Sequence, residues 1–279
     1  MIQISDILLE LHTRLSSLSQ TPLLDAQVLL EHVLGQTRTW VLAHPEAHLS
    51  SDQEHALRDA LTRLEAGEPL AYILGQWEFY GLDFIVTPDT LIPRPETELL
   101  VEQALSWSRT RSKRLRAVDI GTGSGCIAIS VALNASNVHV LGCDLSLTAL
   151  QVAIASANRH GVSGKVDFVQ CDLLPPVKVQ FDLICANLPY IPTETLHSLK
   201  VYQREPELAL DGGEDGLVQI RRLLNEAETA LAPGGLLLIE IEASSGAAVH
   251  SLAREAFPKA DALVLPDLAG RDRLISVLT

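Results

Sequence analysis

Apolar and polar positions over residues 4 to 66 fall into helical segments: Ile4 to Leu18, Pro22 to Leu34, a short piece near Trp40, and a fourth helix from Ser51 to Gly67. Thr21 is the expected cap of the second, with Pro22 at its first helical position. Ser51-x-x-Glu54 reads as a capping box for the fourth. From residue 69 to 92 the pattern changes. Ala71 to Val86 is aromatic, β-branched and punctuated by turn residues, which predicts a β-hairpin joining two domains. Pro95 then opens a helix whose first turn carries Glu96 and Glu98, favourable against the positive helix end. From Leu115 the chain alternates strand and helix, with strands at 115–120, 138–143, 166–171, 180–186, 235–241, 261–265 and 273–278. The intervening helices fall at 126–134, 146–160, 215–232 and 246–257. The expectation is an α/β fold, a doubly wound, mostly parallel seven-stranded sheet finished by a final strand pair. The domains expected are 1–68 (helical), 69–92 (hairpin linker) and 93–279 (catalytic).

With 279 residues and 47% apolar content the chain can fill a large core and a small one. The net charge of −14 argues against gripping a phosphate backbone, which needs clustered Lys and Arg. The charge is uneven: residues 1–90 hold four Arg, no Lys and thirteen acidic residues, a net of −9, leaving −5 for the rest. An acidic first third suits a basic protein partner. Five basic residues between Arg109 and Arg116 read as a solvated connector. No basic leader or signal-like core opens the chain, and no apolar run approaches the roughly 18 residues of a membrane span, so a cytoplasmic location is expected. Cys126, Cys143, Cys171 and Cys185 lack C-x-x-C spacing and read as small buried apolar residues. Pro45 breaks the spacing of His44 and His48, so no metal site is expected.

The candidate chemistry lies at strand ends. Phe181-Asp182-Leu183-Ile184-Cys185-Ala186 reads as a strand covered on both faces, ending in Asn187-Leu188-Pro189-Tyr190. Ligands of open α/β sheets bind just past the carboxyl ends of strands. Pro189 holds Leu188 extended, setting its backbone carbonyl beside the side-chain carbonyl of Asn187. Two fixed acceptors suit a planar NH2 group, on an amide or a nucleobase. Earlier, Asp119-Ile120-Gly121-Thr122-Gly123-Ser124-Gly125-Cys126 is a strand entering a glycine-rich turn and a helix. The third glycine of a dinucleotide fingerprint is replaced by Cys126, so the spacing is G-x-G-x-G. Asp144 follows the second strand, the usual place of a carboxylate that holds a ribose diol, and Asp172 ends the third, beside an expected adenine.

The glycine loop with Asp119 resembles motif I of S-adenosylmethionine-dependent methyltransferases, and Asn187 to Tyr190 resembles the Asn-Pro-Pro-Tyr signature of amino-group methyltransferases. Together with Gly75-Gln76-Trp77-Glu78-Phe79-Tyr80-Gly81, Ile92-Pro93-Arg94-Pro95-Glu96-Thr97-Glu98, Glu205-Pro206 through Gly216, and Asp267 through Arg273, nearly the whole chain resembles the protein-(glutamine-N5) methyltransferase family that modifies peptide chain release factors. The resemblance implies a class I S-adenosylmethionine-dependent fold with a small N-terminal helical domain. It implies S-adenosyl-L-methionine as cofactor, with S-adenosyl-L-homocysteine as product. Asp119, Gly121, Thr122, Gly123, Ser124, Gly125, Asp144, Asp172 and Asn187 would serve the cofactor. Asn187, Leu188, Pro189 and Tyr190 would bind and activate the glutamine of a Gly-Gly-Gln loop in class 1 release factors. The acidic N-terminal domain would help dock that factor. Leu188 departs from the usual proline, and Glu242 stands where glycine is common after Glu240-Ile241. The rival readings are an adenine N6-methyltransferase on RNA or DNA, disfavoured by the acidic balance, and a non-catalytic binding module.

Overall fold

The computed structural model describes residues 3–176 and 179–279, so Met1 and Ile2 of the expected first domain lie outside the described residues. The chain divides after Gly75 into two units.

The first unit is helical: α1 (Ile4–Leu15), α2 (Pro22–Leu34), α3 (Arg38–Ala43), α4 (Ser51–Glu65) and α5 (Leu70–Leu74). Ile4, Ile7, Leu11 and Leu15 recur at three and four residues, so α1 buries one stripe against Ala26, Leu29 and Leu30 of α2 and Leu57, Ala60 and Leu61 of α4. Each fully buried Leu or Ile contributes roughly 1.5–3 kcal/mol. Trp40 stacks on His44 with ring centroids 4.4 Å apart.

Three expectations are corrected here. The capping box of α4 uses Ser50 and Gln53: Gln53 N–H donates to Ser50 Oγ and Ser50 N–H to Gln53 Oε1. Both registers satisfy the motif, and Ser50 is the residue held extended, next to buried Leu49. Thr21 sits at the start of α2, but its side chain accepts no helix N–H; its hydroxyl donates to Asp25 at 3.1 Å. Residues 71–74, expected within the hairpin, belong to α5, which buries Ala71, Tyr72 and Ile73 and stops at Gly75 in the left-handed conformation. Burial of one helical face overrides β propensity there.

The second unit opens with a true hairpin, β1 (Gln76–Phe79) against β2 (Leu82–Ile85). Tyr80 and Gly81 turn it at φ 55° and 72°, the pair of positive angles that matches strand twist. Phe79 and Phe84 meet edge to face beneath it. A 3-10 turn at Pro95–Thr97 leads into α6 (Glu98–Arg109), whose Glu98 accepts the Tyr80 N–H at 2.9 Å.

The alternating region forms β3 (Leu115–Ile120), α7 (Cys126–Asn134), β4 (Val138–Asp144), α8 (Leu147–Arg159), β5 (Val166–Gln170), β6 (Phe181–Ala186), α9 (Thr193–Leu196), α10 (Val218–Ala230), β7 (Leu231–Glu240), α11 (Gly246–Ala256), β8 (Asp261–Pro266) and β9 (Asp272–Leu278). The sheet runs β5-β4-β3-β6-β7-β9-β8, parallel except for β9, which is antiparallel to both neighbours. Alternate strand residues face two cores: Ala117, Leu183 and Leu236 pack with α6 and α7, whereas Val118, Ile184 and Leu237 pack with α10 and α11. All six residues of β6 are buried. Its one charge, Asp182, accepts from Lys113 Nζ at 2.6 Å and the Arg116 N–H at 2.9 Å. The basic stretch is therefore only partly a solvated connector; Arg111 also lies 3.7 Å over the Trp107 ring.

Candidate functional site

Chain order reverses between β3 and β6, which are neighbours although β4 and β5 separate them in sequence. A crevice opens at such a switch point, past the carboxyl ends of the strands. Asp119 pairs with Cys185 and Ile120 with Ala186, so Gly121 and Asn187 leave the sheet side by side. A Cβ at Gly121 would stand 3.6 Å from the Asn187 carbonyl oxygen and 3.5 Å from the Leu188 side chain, and its φ is +67°. Glycine lets the loop and the Asn187 backbone approach this closely.

Asp144, ending β4, ties the loop from the other side. Its Oδ2 accepts the Gly123 N–H and its Oδ1 the Ser146 N–H, both at 2.9 Å. Burial raises its pKa, and those backbone hydrogen bonds counter the shift. Asp119 lies beneath the loop, 1% exposed, where its Oδ2 accepts from the Thr122 hydroxyl at 2.6 Å and the Ala128 N–H at 3.2 Å. Burial pushes its carboxyl up to about 7. Its carboxylate shapes the loop and does not line the cavity. Gly125 likewise stays out of the cavity, packed where a Cβ would meet Ile129 and Ala153.

The cavity holds about 320 Å³ and is lined by Gly121, Thr122, Gly123, Ser124, Asp144, Asp172, Asn187, Leu188 and Pro189, with Leu91, Leu145, Leu173 and Leu208 among its apolar walls. A carboxylate beside a glycine loop, facing apolar walls, is a donor set for a ribose and a nucleobase. Asp172 stands at the rim, its carboxylate bound to Arg222 Nη2 at 2.7 Å. Cys126, Cys143 and Cys171 also line it, and burial raises all three thiols.

A second cavity of about 160 Å³ shares Leu91, Arg94, Asn187, Leu188 and Ala209 with the first and adds Tyr190. Several residues around these cavities, Arg94, Thr97, Glu205 and Glu240 among them, were not singled out as site residues from the sequence. Arg94 and Ile92 clamp Glu205, the guanidinium pairing with Oε1 and the Ile92 N–H donating to Oε2 at 3.1 Å. Thr97 accepts Asn187 Nδ2–H at 3.1 Å. Glu240, ending β7, accepts the Tyr190 hydroxyl at 3.4 Å. Arg94, Thr97 and Glu205 lie inside the motifs quoted above, and Glu240 is the carboxylate that ends an otherwise apolar run.

Segment 191–213 folds back on Tyr190: Ile191 N–H donates to Leu210 O and Gly212 N–H to Ile191 O. Glu242 also gains a role, accepting from the Ser244 N–H and hydroxyl in the turn before α11.

Residues 6–75 match the family model of the PrmC N-terminal domain, and residues 111–263 match a methyltransferase domain. The chain is 43% identical over 256 residues to the release factor glutamine methyltransferase of Moorella thermoacetica, covering 91% of this chain and 90% of that protein. The chain belongs to the release factor glutamine methyltransferase family. The Bordetella pertussis member is 41% identical over 254 residues, covering 91% and 93%. A solved methyltransferase from Pyrococcus furiosus superposes with a TM-score of 0.52 over 79% of this chain and 98% of its own, at 16% identity, a likeness of fold alone. The fold of this family member is that of class I S-adenosylmethionine-dependent methyltransferases with a helical N-terminal unit. Among the described residues no helix is long and apolar enough to cross a membrane.

Proposed function

We propose that the chain transfers a methyl group from S-adenosylmethionine to the side-chain amide nitrogen, N5, of the glutamine in the Gly-Gly-Gln motif of peptide chain release factors. The observation that carries this reading is the close approach of Gly121, which lines the larger cavity, to Asn187, which lines both. The larger suits a nucleoside and the smaller suits a glutamine side chain.

When bound, the cofactor supplies an electrophilic methyl group on a sulfonium centre. Gly121, Thr122, Gly123 and Ser124 would line its seat, Asp144 would accept from the ribose hydroxyls, and Asp172 with Arg222 would close the rim. Asp119 and Gly125 serve by holding the loop in shape. An amide nitrogen is a poor nucleophile because its lone pair is delocalised into the carbonyl. Asn187 Oδ1 and the Leu188 carbonyl accept both amide hydrogens, concentrate electron density on nitrogen and aim it at the larger cavity. Pro189 fixes the Leu188 carbonyl, and Tyr190 packs against the guest and excludes water. Leu188 keeps the group this chemistry uses, although it replaces a proline.

The N-terminal helical unit docks the factor in this reading. Residues 1–75 hold ten acidic residues against four Arg, a net of −6, which favours a basic surface over a nucleic acid. The reaction belongs in the cytoplasm, where release factors act.

The test is transfer of labelled methyl to purified release factor, to the same factor with its Gly-Gly-Gln glutamine replaced, and to ribosomal RNA. Label in the first alone supports the proposal. Label in RNA would sink it.

A further inference from the structure

Ala186 pairs with Ile239, so the next residues of β6 and β7, Asn187 and Glu240, emerge side by side. Glu240 is 1% exposed, and its Oε2 has no partner among the described residues. Its Oε1 accepts the Tyr190 hydroxyl at 3.4 Å, and Thr97 is the neighbour that does most to steady its charge. Thr97 is itself 2% exposed, so water does not compete for it.

The proton count then decides the direction of every bond. Asn187 Nδ2–H already donates to the Thr97 oxygen, so the Thr97 proton points elsewhere, and a carboxylate, which only accepts, is the buried neighbour able to take it. The Thr97 oxygen is left as an acceptor, and it meets Asn187 Nδ2 at 3.1 Å. We infer that Glu240 is a positioning residue for methyl transfer: through Thr97 it turns the Nδ2 end of Asn187 inward and leaves Oδ1 for the substrate amide. The inference rests on the proposed glutamine methylation and adds what sets the polarity of its site. Were Asn187 flipped, it would present N–H groups to the N–H groups of the guest.

Protonation of Glu240 undoes the arrangement, because a carboxylic acid can donate to Thr97 and free that hydroxyl to turn toward Asn187. Burial pushes the Glu240 carboxyl up to about 7, with Thr97, Arg273 and Tyr190 opposing the shift and Glu96 adding to it. The Cys126 thiol also feels its charge.

The experiment is steady-state methylation of release factor by the full-length protein across about pH 5.5 to 9, with Glu240→Gln, Thr97→Val and Thr97→Ser beside the unmodified chain. The unmodified chain is expected to lose kcat as pH falls through about 7. Glu240→Gln is expected to lack that limb and to run about 10- to 100-fold slower, by analogy with outer partners of metal ligands. KM for the factor changes little in either variant, because the large protein contact sets it. Thr97→Ser recovers most of the turnover lost in Thr97→Val. Binding of S-adenosylhomocysteine checks that each variant is folded, and the Thr97 pair carries the test if Glu240→Gln is not. Full turnover in Thr97→Val, or an unchanged acid limb in folded Glu240→Gln, overturns the inference. An unmodified chain that labels no glutamine overturns the underlying reading instead, and is told apart by its silence at every pH.

Discussion

Asn187 and Leu188 offer oxygens of different origin, one on a side chain and one on the backbone, and substitution separates them. Asn187→Ala removes an acceptor and is expected to lower turnover by about 100- to 1,000-fold, like loss of an oxyanion-hole donor, in a single-turnover methylation assay. Leu188→Pro keeps the carbonyl and restores the residue common in the family, so turnover within about 10-fold of the unmodified chain is expected. The residues legible in the sequence were those whose roles are local. Gly121 to Gly125 and Asn187 to Tyr190 each follow a strand directly, and all of them but Gly125 line the two cavities. Thr97 and Glu205 were quoted only as parts of motifs, because their partners lie 90 and 113 residues away in the chain. Asp119 was expected at the cofactor, yet its carboxylate is spent on Thr122 and Ala128, a distinction set by depth that spacing does not encode.

Glu205 joins two segments, 88–94 and 206–209, that both line the larger cavity. Glu205→Gln places an amide between the Ile92 N–H and Arg94, where it can satisfy only one. The expected outcome is about a tenfold weaker Kd for S-adenosylhomocysteine, or roughly 1.4 kcal/mol, read by calorimetry. Unchanged affinity would show that the clamp does not hold the wall. The alternating strands and helices of the second unit were legible because each buried strand and amphipathic helix follows its own period. The start of α4 was off by one residue because Ser50 and Ser51 both present a capping motif. The short α5 was missed because Tyr72 and Ile73 favour strands in isolation, and only the burial of a helical face reverses that preference.

Two deep carboxyls give the whole molecule a characteristic response to acid. Asp119 and Glu240 both titrate near 7 in the fold because burial disfavours their charge, against 3.8 and 4.5 as ordinary values. Folded values above unfolded ones mean that the contribution to stability is complete below about pH 4, declines as pH rises toward 7 and is then constant. Asp119→Asn is expected to flatten part of that decline in Tm measured from about pH 4 to 7. A steeper decline would contradict it. The stacking of Trp40 on His44 in the helical unit has an optical consequence. Trp77 and Trp107 belong to the second unit, so each unit carries its own intrinsic fluorophore. With Trp77 and Trp107 replaced by Phe, emission comes from the helical unit alone. Denaturant curves from that chain and from Trp40→Phe would separate if the units melt independently, and coincide if they melt as one.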